Sequence, residues 1–96
     1  MTQTHTIRTV LDLSTGHLTE QTRTLLRRAQ SRQGFGLRTV PHQHGAIAFL
    51  SEDLAQDLEH VPVDLARTVT LAHQHSALLI NFDADAPTHP DLPVHD

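Results

Sequence analysis

The stretch L-R-T-V-P-H-Q-H-G-A-I-A-F-L, residues 37–50, predicts two neighbouring strands joined by a tight turn. Leu37–His42 is the second predicted strand and Ala46–Leu50 the third, and His42–Gly45 supplies the turn between them. Because Pro41 has no N–H group, it cannot donate to the ladder of a central strand. We therefore expect a hairpin whose first strand lies at the edge of a sheet.

The sequence before the hairpin predicts one strand and one helix, and the sequence after it predicts a short helix or turn, a longer helix and a strand. Ile7–Leu13 alternates as a strand does, and Thr19 is a candidate N-cap for the helix that follows. After the hairpin, Ser51 could cap a short acidic turn or helix, and Pro62 marks the start of a longer helix. Residues 78–82 alternate along a fourth strand. The order of elements is therefore β-α-β-β-α-β.

This order predicts an α+β domain with the ferredoxin-like arrangement. In that arrangement a four-stranded antiparallel sheet carries both helices on one face. Residues 1–83 form the expected single domain, and residues 84–96, with three prolines and three acids, form an acidic C-terminal tail. Leu92–Val94 is the part of the tail that we expect to make a short extended contact.

Composition restricts the classes of function. The chain has nine histidines and no cysteine, which excludes disulfides, iron–sulfur clusters and thiol catalysis. No early run is apolar enough for a signal peptide, and no run reaches the roughly 20 apolar residues of a membrane span. We therefore expect a cytoplasmic protein without membrane contact. At this size a homodimer would be a common way to gain stability.

Charge and histidine are unevenly distributed along the chain. Residues 1–48 carry six arginines and two acids, whereas residues 49–96 carry one arginine and nine acids. In the expected topology, the first strand (Ile7–Leu13) ends at the upper edge of the sheet, and the longer helix that starts at Pro62 runs back up to that same edge. This places five histidines at the upper edge and the acids of the second half at the lower one: His17, His42, His44, His73 and His75.

Histidine clustering has three interpretations. In an extended segment His42-Gln-His44 points both imidazoles to one face, so His17, His42, His44 and His75 are candidate ligands for a divalent transition metal. Positions two apart on a helix face apart, which makes the His73–His75 pair less suitable. The histidines could instead be ordinary turn and helix-end residues, since a cationic imidazole is favourable at a helix C-terminus. A pH-sensitive or partner-binding edge is the third interpretation.

Helix one invites a nucleic-acid interpretation. Its cations could contact phosphates, but no aromatic residues are interleaved with them and the chain is net acidic, so we favour a solvated helix face. The candidate nucleic-acid residues are Arg23, Arg27, Arg28 and Arg32.

The acidic residues of the second half are the candidate partner-binding residues. They could contact a protein with a basic surface, and electrostatic steering would make that association fast and salt-sensitive. A lone Asp-x-Asp after a strand could also hold a divalent cation, although a solvated strand end is the commoner case. The candidate set is Glu52, Asp53, Asp57, Glu59, Asp83 and Asp85.

Catalysis finds little support. Ser14 or Thr15 beside His17 is a conceivable nucleophile–base pair, but the pattern supplies no orienting carboxylate and no oxyanion hole. We therefore assign no catalytic residue and no resident cofactor, and we expect a protein that is not an enzyme.

Two segments resemble an uncharacterised family of small proteins carried on plasmids and integrative elements of proteobacteria. These segments are L-D-L-S-T-G-H-L-T at residues 11–19 and L-I-N-F-D-A-D-A-P at residues 79–87, with L-P-V-H at residues 92–95. The sequence departs from the family pattern at His95, where an aromatic residue is expected, and at the end of the second helix, where His-Gln-His replaces an Asn-Gly-type turn. The resemblance implies a mobile-DNA context, in which small acidic proteins block host defence nucleases or adjust transfer.

We therefore hypothesise a non-enzymatic protein-binding module of a mobile genetic element, acting as an inhibitor or accessory factor through its acidic surface. The alternatives are a histidine-ligated metal-binding or sensor protein and a nucleic-acid-binding protein that uses the arginines of helix one.

Overall fold

The computed structural model describes residues 9–28 and 37–95, and these form one four-stranded sheet with three helices. The predicted strand start at Ile7 and the candidate nucleic-acid residue Arg32 lie outside the described residues. The strands are β1 (Thr9–Ser14), β2 (Arg38–His42), β3 (Gly45–Phe49) and β4 (Ala77–Asp83). The helices are α1 (Glu20–Arg27), α2 (Leu54–Asp57) and α3 (Val63–Gln74), and a 3-10 turn, Thr15–His17, follows β1.

The strand order is β1-β4-β3-β2, and the sheet is mixed. β1 pairs with β4 in parallel, whereas the β2–β3 and β3–β4 pairs are antiparallel. The predicted α+β class with four strands is confirmed, and β2, which contains Pro41, lies at an edge as predicted. The prediction of a fully antiparallel sheet is wrong, and the ferredoxin-like arrangement is not confirmed.

The direction of α3 explains this difference. Residues 50–62 separate β3 from α3, and they carry the chain from the lower end of the sheet to the upper end, where Asp64 contacts Thr19. Here the upper end is the one at which β1 and β4 finish, with Ser14 beside Asp83. α3 therefore descends, and β4 rises beside β1 instead of opposing it.

Local sequence signals set the helix ends. Thr19 is the N-cap of α1 as predicted, because its hydroxyl accepts a 3.3 Å hydrogen bond from the Thr22 amide. The N-cap of α2 is Asp53, not Ser51, since the Asp53 carboxylate accepts from the Gln56 amide at 3.2 Å. At the end of α3, Ser76 adopts a left-handed conformation with φ of 57°, which turns the chain into β4.

One aliphatic core lies between the helices and one face of the sheet. Alternation along β3 and β4 directs Ala46, Ala48, Ile80 and Phe82 to this face. They form a single buried cluster with residues of β1, of the helices and of the segment before α1, including Leu13, Leu18, Leu26, Leu65, Val69 and Ala72. The opposite face of the sheet has no helix packed on it among the described residues.

The C-terminal segment packs against the upper end of the domain. The Ser14 amide donates to the Pro87 carbonyl at 3.1 Å, and the His95 amide donates to the Gly16 carbonyl at 2.7 Å. Leu92 packs against the hydrophobic core. Residues 84–95 therefore lie on the folded domain over most of their length, and the expected contact at Leu92–Val94 is part of a longer one.

Candidate functional site

The uncovered face of the sheet consists of three rows that cross all four strands. The strand register places Val10, Leu79, Phe49 and Arg38 side by side in the lower row. The Arg38 guanidinium carbon lies 5.4 Å from the centre of the Phe49 ring, which is a cation–π distance. Val10 is 46% exposed. The lower row is therefore an apolar strip that ends in a stacked arginine.

The polar side chains of this face lie in the two rows above this strip, with Asp12 and Asn81 in the middle row and His42 in the upper row. The His44 amide donates to His42 Nδ1 at 3.1 Å, so Nε2 carries the proton and donates to Asn81 Oδ1 at 2.9 Å. The Asn81 amide group donates in turn to Asp12 Oδ1 at 3.0 Å. A hydrogen-bonded chain thus crosses from the edge strand β2 to the other edge strand, β1.

The candidate acids do not form one surface. Glu52, Asp53 and Glu59 are exposed in the segment after β3, whereas Asp83 and Asp85 lie at the end of β4, at the opposite end of the sheet. They were expected at a common lower edge, and this expectation is wrong because β4 rises beside β1.

Asp57 is only 1% exposed and cannot contact a partner. Its carboxylate accepts hydrogen bonds from the Ser51 amide at 2.9 Å, the Ser51 hydroxyl at 2.8 Å and His73 Nε2 at 2.8 Å. In a Ser-His-Asp triad the serine donates to the histidine. Here both groups donate to Asp57 instead, so the cluster fastens residues 51–57 to the end of α3.

The histidines also divide between the two ends. His42 ends β2, His44 lies in the β2–β3 turn and His17 follows β1, so these three share the upper end. His73 and His75 lie at the lower end, because α3 descends, and the expectation that all five share one edge is wrong. Among residues 9–28 and 37–95, no three His, Asp or Glu side chains are grouped to hold a metal ion.

His17 is buried and holds the C-terminal segment. Its Nδ1–H donates to the Pro93 carbonyl at 2.8 Å, and its Nε2 accepts from the His89 amide at 2.8 Å. Both ring nitrogens are therefore occupied by backbone groups, and Ser14 Oγ accepts from the Gly16 amide. The conceivable Ser14–His17 nucleophile–base pair is not formed.

A cleft of about 500 Å³ lies between α1 and the β2–β3 turn. Arg23 and Arg27 line its helical side, and His42 and His44 line the turn side. The structure thus brings together residues that the sequence suggested for two separate functions. Arg28 lines a different groove, together with Arg67, and Arg32 lies outside the described residues, so nucleic-acid binding by these arginines stays a prediction.

Asp64 fixes the geometry of α1 and α3 beside the groove that Arg28 and Arg67 line. Its Oδ2 accepts from the Thr19 amide at 2.7 Å, and its Oδ1 accepts from the Thr22 hydroxyl at 2.9 Å. Burial alone would raise the pKa of Asp64, but these hydrogen bonds to the carboxylate outweigh it and lower the pKa below its usual value.

Comparison with protein families gives one result. The C-terminal domain of a family of unknown function (DUF5983) matches residues 10–96. The chain belongs to this family. The predicted membership of an uncharacterised family is therefore confirmed, while the proteobacterial mobile-element origin stays a prediction. Neither the curated proteins nor the solved structures provide a match.

The family match covers the tail as well as the sheet and helices of this DUF5983 domain. None of the helices in the described part of the chain is long and apolar enough to cross a membrane. Three structural features of the domain escaped sequence reasoning: Asp64 at the α1–α3 contact, Asn81 at the centre of the polar chain and Arg38 over Phe49. The alternation of polar and apolar residues in 38–49 and 77–83 is the signal that could have shown the last two.

Proposed function

We propose that this DUF5983 domain is a non-enzymatic protein-binding module that contacts its partner through the uncovered face of the sheet. The observation that carries the proposal is the lower row, where Val10, Leu79 and Phe49 form an apolar strip beside the Arg38 guanidinium. Arginine and aromatic residues are enriched among the side chains that contribute most to protein–protein binding.

The charges around this strip favour a basic partner. Glu52 and Asp53 are exposed directly after β3, at the same end of the sheet as the strip, and Glu59 follows in the same segment. An apolar centre with a charged rim is the usual anatomy of a transient interface. Carboxylates on the rim would steer a basic protein surface into contact, and added salt would slow that encounter.

The biological role extends this proposal. The resemblance of residues 11–19 and 79–87 to small proteins of mobile elements supports a role as an inhibitor or accessory factor. A basic partner surface of the kind that holds nucleic acid, such as that of a defence nuclease complex, would complement the exposed acids.

Affinity capture from the source organism tests the proposal when it is paired with matched variants. Val10→Asp places a carboxylate in the strip, and Val63→Asp makes the same change at a valine that is 69% exposed on α3. We expect a partner that binds the unmodified domain and Val63→Asp at low salt but not Val10→Asp. Equal capture by all three proteins would exclude the strip as the binding surface. If a second copy of the chain bound the strip instead, sedimentation would show a dimer that is lost only in Val10→Asp. That result would contradict the proposal of a basic partner.

A further inference from the structure

We propose that the cleft between α1 and the β2–β3 turn binds a small organic anion, with a carboxylate or phosphate group held by Arg23 and Arg27. This site is separate from the apolar strip proposed for protein binding. Its volume of about 500 Å³ falls within the range of small-molecule sites, roughly 300–1,000 Å³.

The charge of the cleft carries the inference. Arg23 and Arg27 are one helical turn apart and project from the same side of α1. Within the described part of the chain, neither guanidinium is ion-paired with a carboxylate, and the ion pairs there involve histidines. Glu20 also lines this wall but pairs with neither arginine, so the wall carries two cations against one acid and keeps a net positive charge that attracts an oxyanion.

One arginine is already held in place. Arg23 Nη1 donates to the Thr15 carbonyl at 3.3 Å, which fixes the guanidinium at the cleft wall. An arginine restrained before the ligand arrives loses less side-chain entropy on binding. Arg27 is exposed and lines the same cleft, so its side chain can close on the other side of the anion.

The opposite wall is the β2–β3 turn. Both ring nitrogens of His42 are engaged, by the His44 amide and by Asn81, so His42 shapes the wall. His44 is exposed at this wall and can add a hydrogen-bond donor toward the anion. Gly45 also lines this wall, and because it has no side chain it leaves space for the ligand.

The base of the cleft defines the rest of the ligand. Leu26 and Phe82 line it beneath the arginines, together with Leu18 and Ala46. These side chains belong to the hydrophobic core, so the part of a ligand that enters beyond its anionic group meets apolar surface. A compact anion with an apolar body, such as an aromatic carboxylate or phosphate monoester, has the complementary chemistry.

Titration of ¹⁵N-labelled domain with benzoate, phenyl phosphate and phenol tests this site. We expect both anions to shift the Thr15 and Gly45 amides saturably, while the neutral phenol does not. Binding of either anion alone would still support the site and would identify its preferred head group. Arg27→Gln should weaken anion binding by at least about tenfold, as expected for loss of a charge-assisted hydrogen bond. Arg67→Gln, at an exposed arginine outside the cleft, should leave it unchanged.

Three outcomes would overturn the proposal. Absence of saturable shifts with both anions would exclude the site, and equal binding of phenol would show that the charge plays no part. Tighter binding of a single-stranded oligonucleotide that also depends on Arg28 would assign the arginines to nucleic acid. Protein binding by the sheet face is measured with different variants, so its failure and that of the cleft are distinguishable.

Discussion

The hydroxyl of Thr22 donates a 2.9 Å hydrogen bond to the Asp64 carboxylate, which joins the first turn of α1 to the first turn of α3. Both residues are buried, and the same carboxylate accepts from the Thr19 amide. Thr19 caps α1 and Thr22 lies inside it, so a single acid on α3 satisfies two donors at the start of the neighbouring helix.

This contact predicts acid sensitivity. The pKa of Asp64 is lowered in the folded protein, so its carboxylate contributes stability that is fully present above the unfolded value of about 3.9 and is lost as pH falls through the folded value. Asp64→Asn should destabilise the domain by about 1–3 kcal/mol at pH 7 and reduce the acid dependence below pH 4. Urea unfolding at pH 7 and at pH 3 measures both effects.

Asp91→Asn is the control for that experiment, because the Asp91 side chain is 79% exposed. Its stability should match the unmodified domain at both pH values within about 0.5 kcal/mol. An unchanged acid dependence in Asp64→Asn would show that other carboxylates control acid unfolding.

The buried His17 imidazole should be needed to hold the C-terminal segment. His17→Phe keeps an aromatic ring but removes the hydrogen bonds to Pro93 and His89, so we expect a loss of about 2–4 kcal/mol in the free energy of unfolding. Hydrogen exchange at the His89 and His95 amides should accelerate more than exchange in β4. His75→Ala changes an exposed histidine and should leave both quantities unchanged. Normal protection of residues 84–95 in His17→Phe would contradict this role.

Asp57 should act in stability and not in partner binding. Asp57→Ala removes the acceptor for Ser51 and His73 and leaves their donors unsatisfied, so we expect destabilisation of about 2–4 kcal/mol by thermal or urea unfolding. Glu59→Gln, at an exposed acid in the same segment, should leave stability unchanged while weakening the binding of a basic partner. Loss of partner binding with full stability in Asp57→Ala would reverse this assignment.

Gly45 should tolerate no side chain. A Cβ atom at this position would collide with the Phe82 backbone carbonyl of the neighbouring strand. Gly45→Ala should therefore disrupt the upper end of the β3–β4 pair and lower the melting temperature strongly. Gly16→Ala brings a Cβ only to 3.2 Å from the Ser14 hydroxyl oxygen, so a smaller loss is expected. Similar melting temperatures for the two variants would show that β4 can shift.

Local patterns predicted the elements, and long-range geometry decided their arrangement. Thr19, Pro41 and the alternation in 78–82 correctly indicated a helix start, an edge strand and a strand. The direction of β4 beside β1 depends on residues 50–62, which carry the chain to the upper end, where Asp64 contacts Thr19; no local pattern reveals this long-range contact. The histidine and acid edges were wrong for the same reason, because reversing α3 moves His73 and His75 to the other end.

The most direct measurement places a photo-cross-linking amino acid at position 10, in the lower row of the uncovered sheet face, or at the more exposed position 63 on α3. In an extract of the source organism at low salt, the cross-linker at position 10 should give one discrete protein adduct, and the cross-linker at position 63 should give none. The adduct at position 10 should disappear when the domain also carries Phe49→Ala. An adduct at position 63 alone, or the same adduct with and without Phe49, would contradict protein binding through this face.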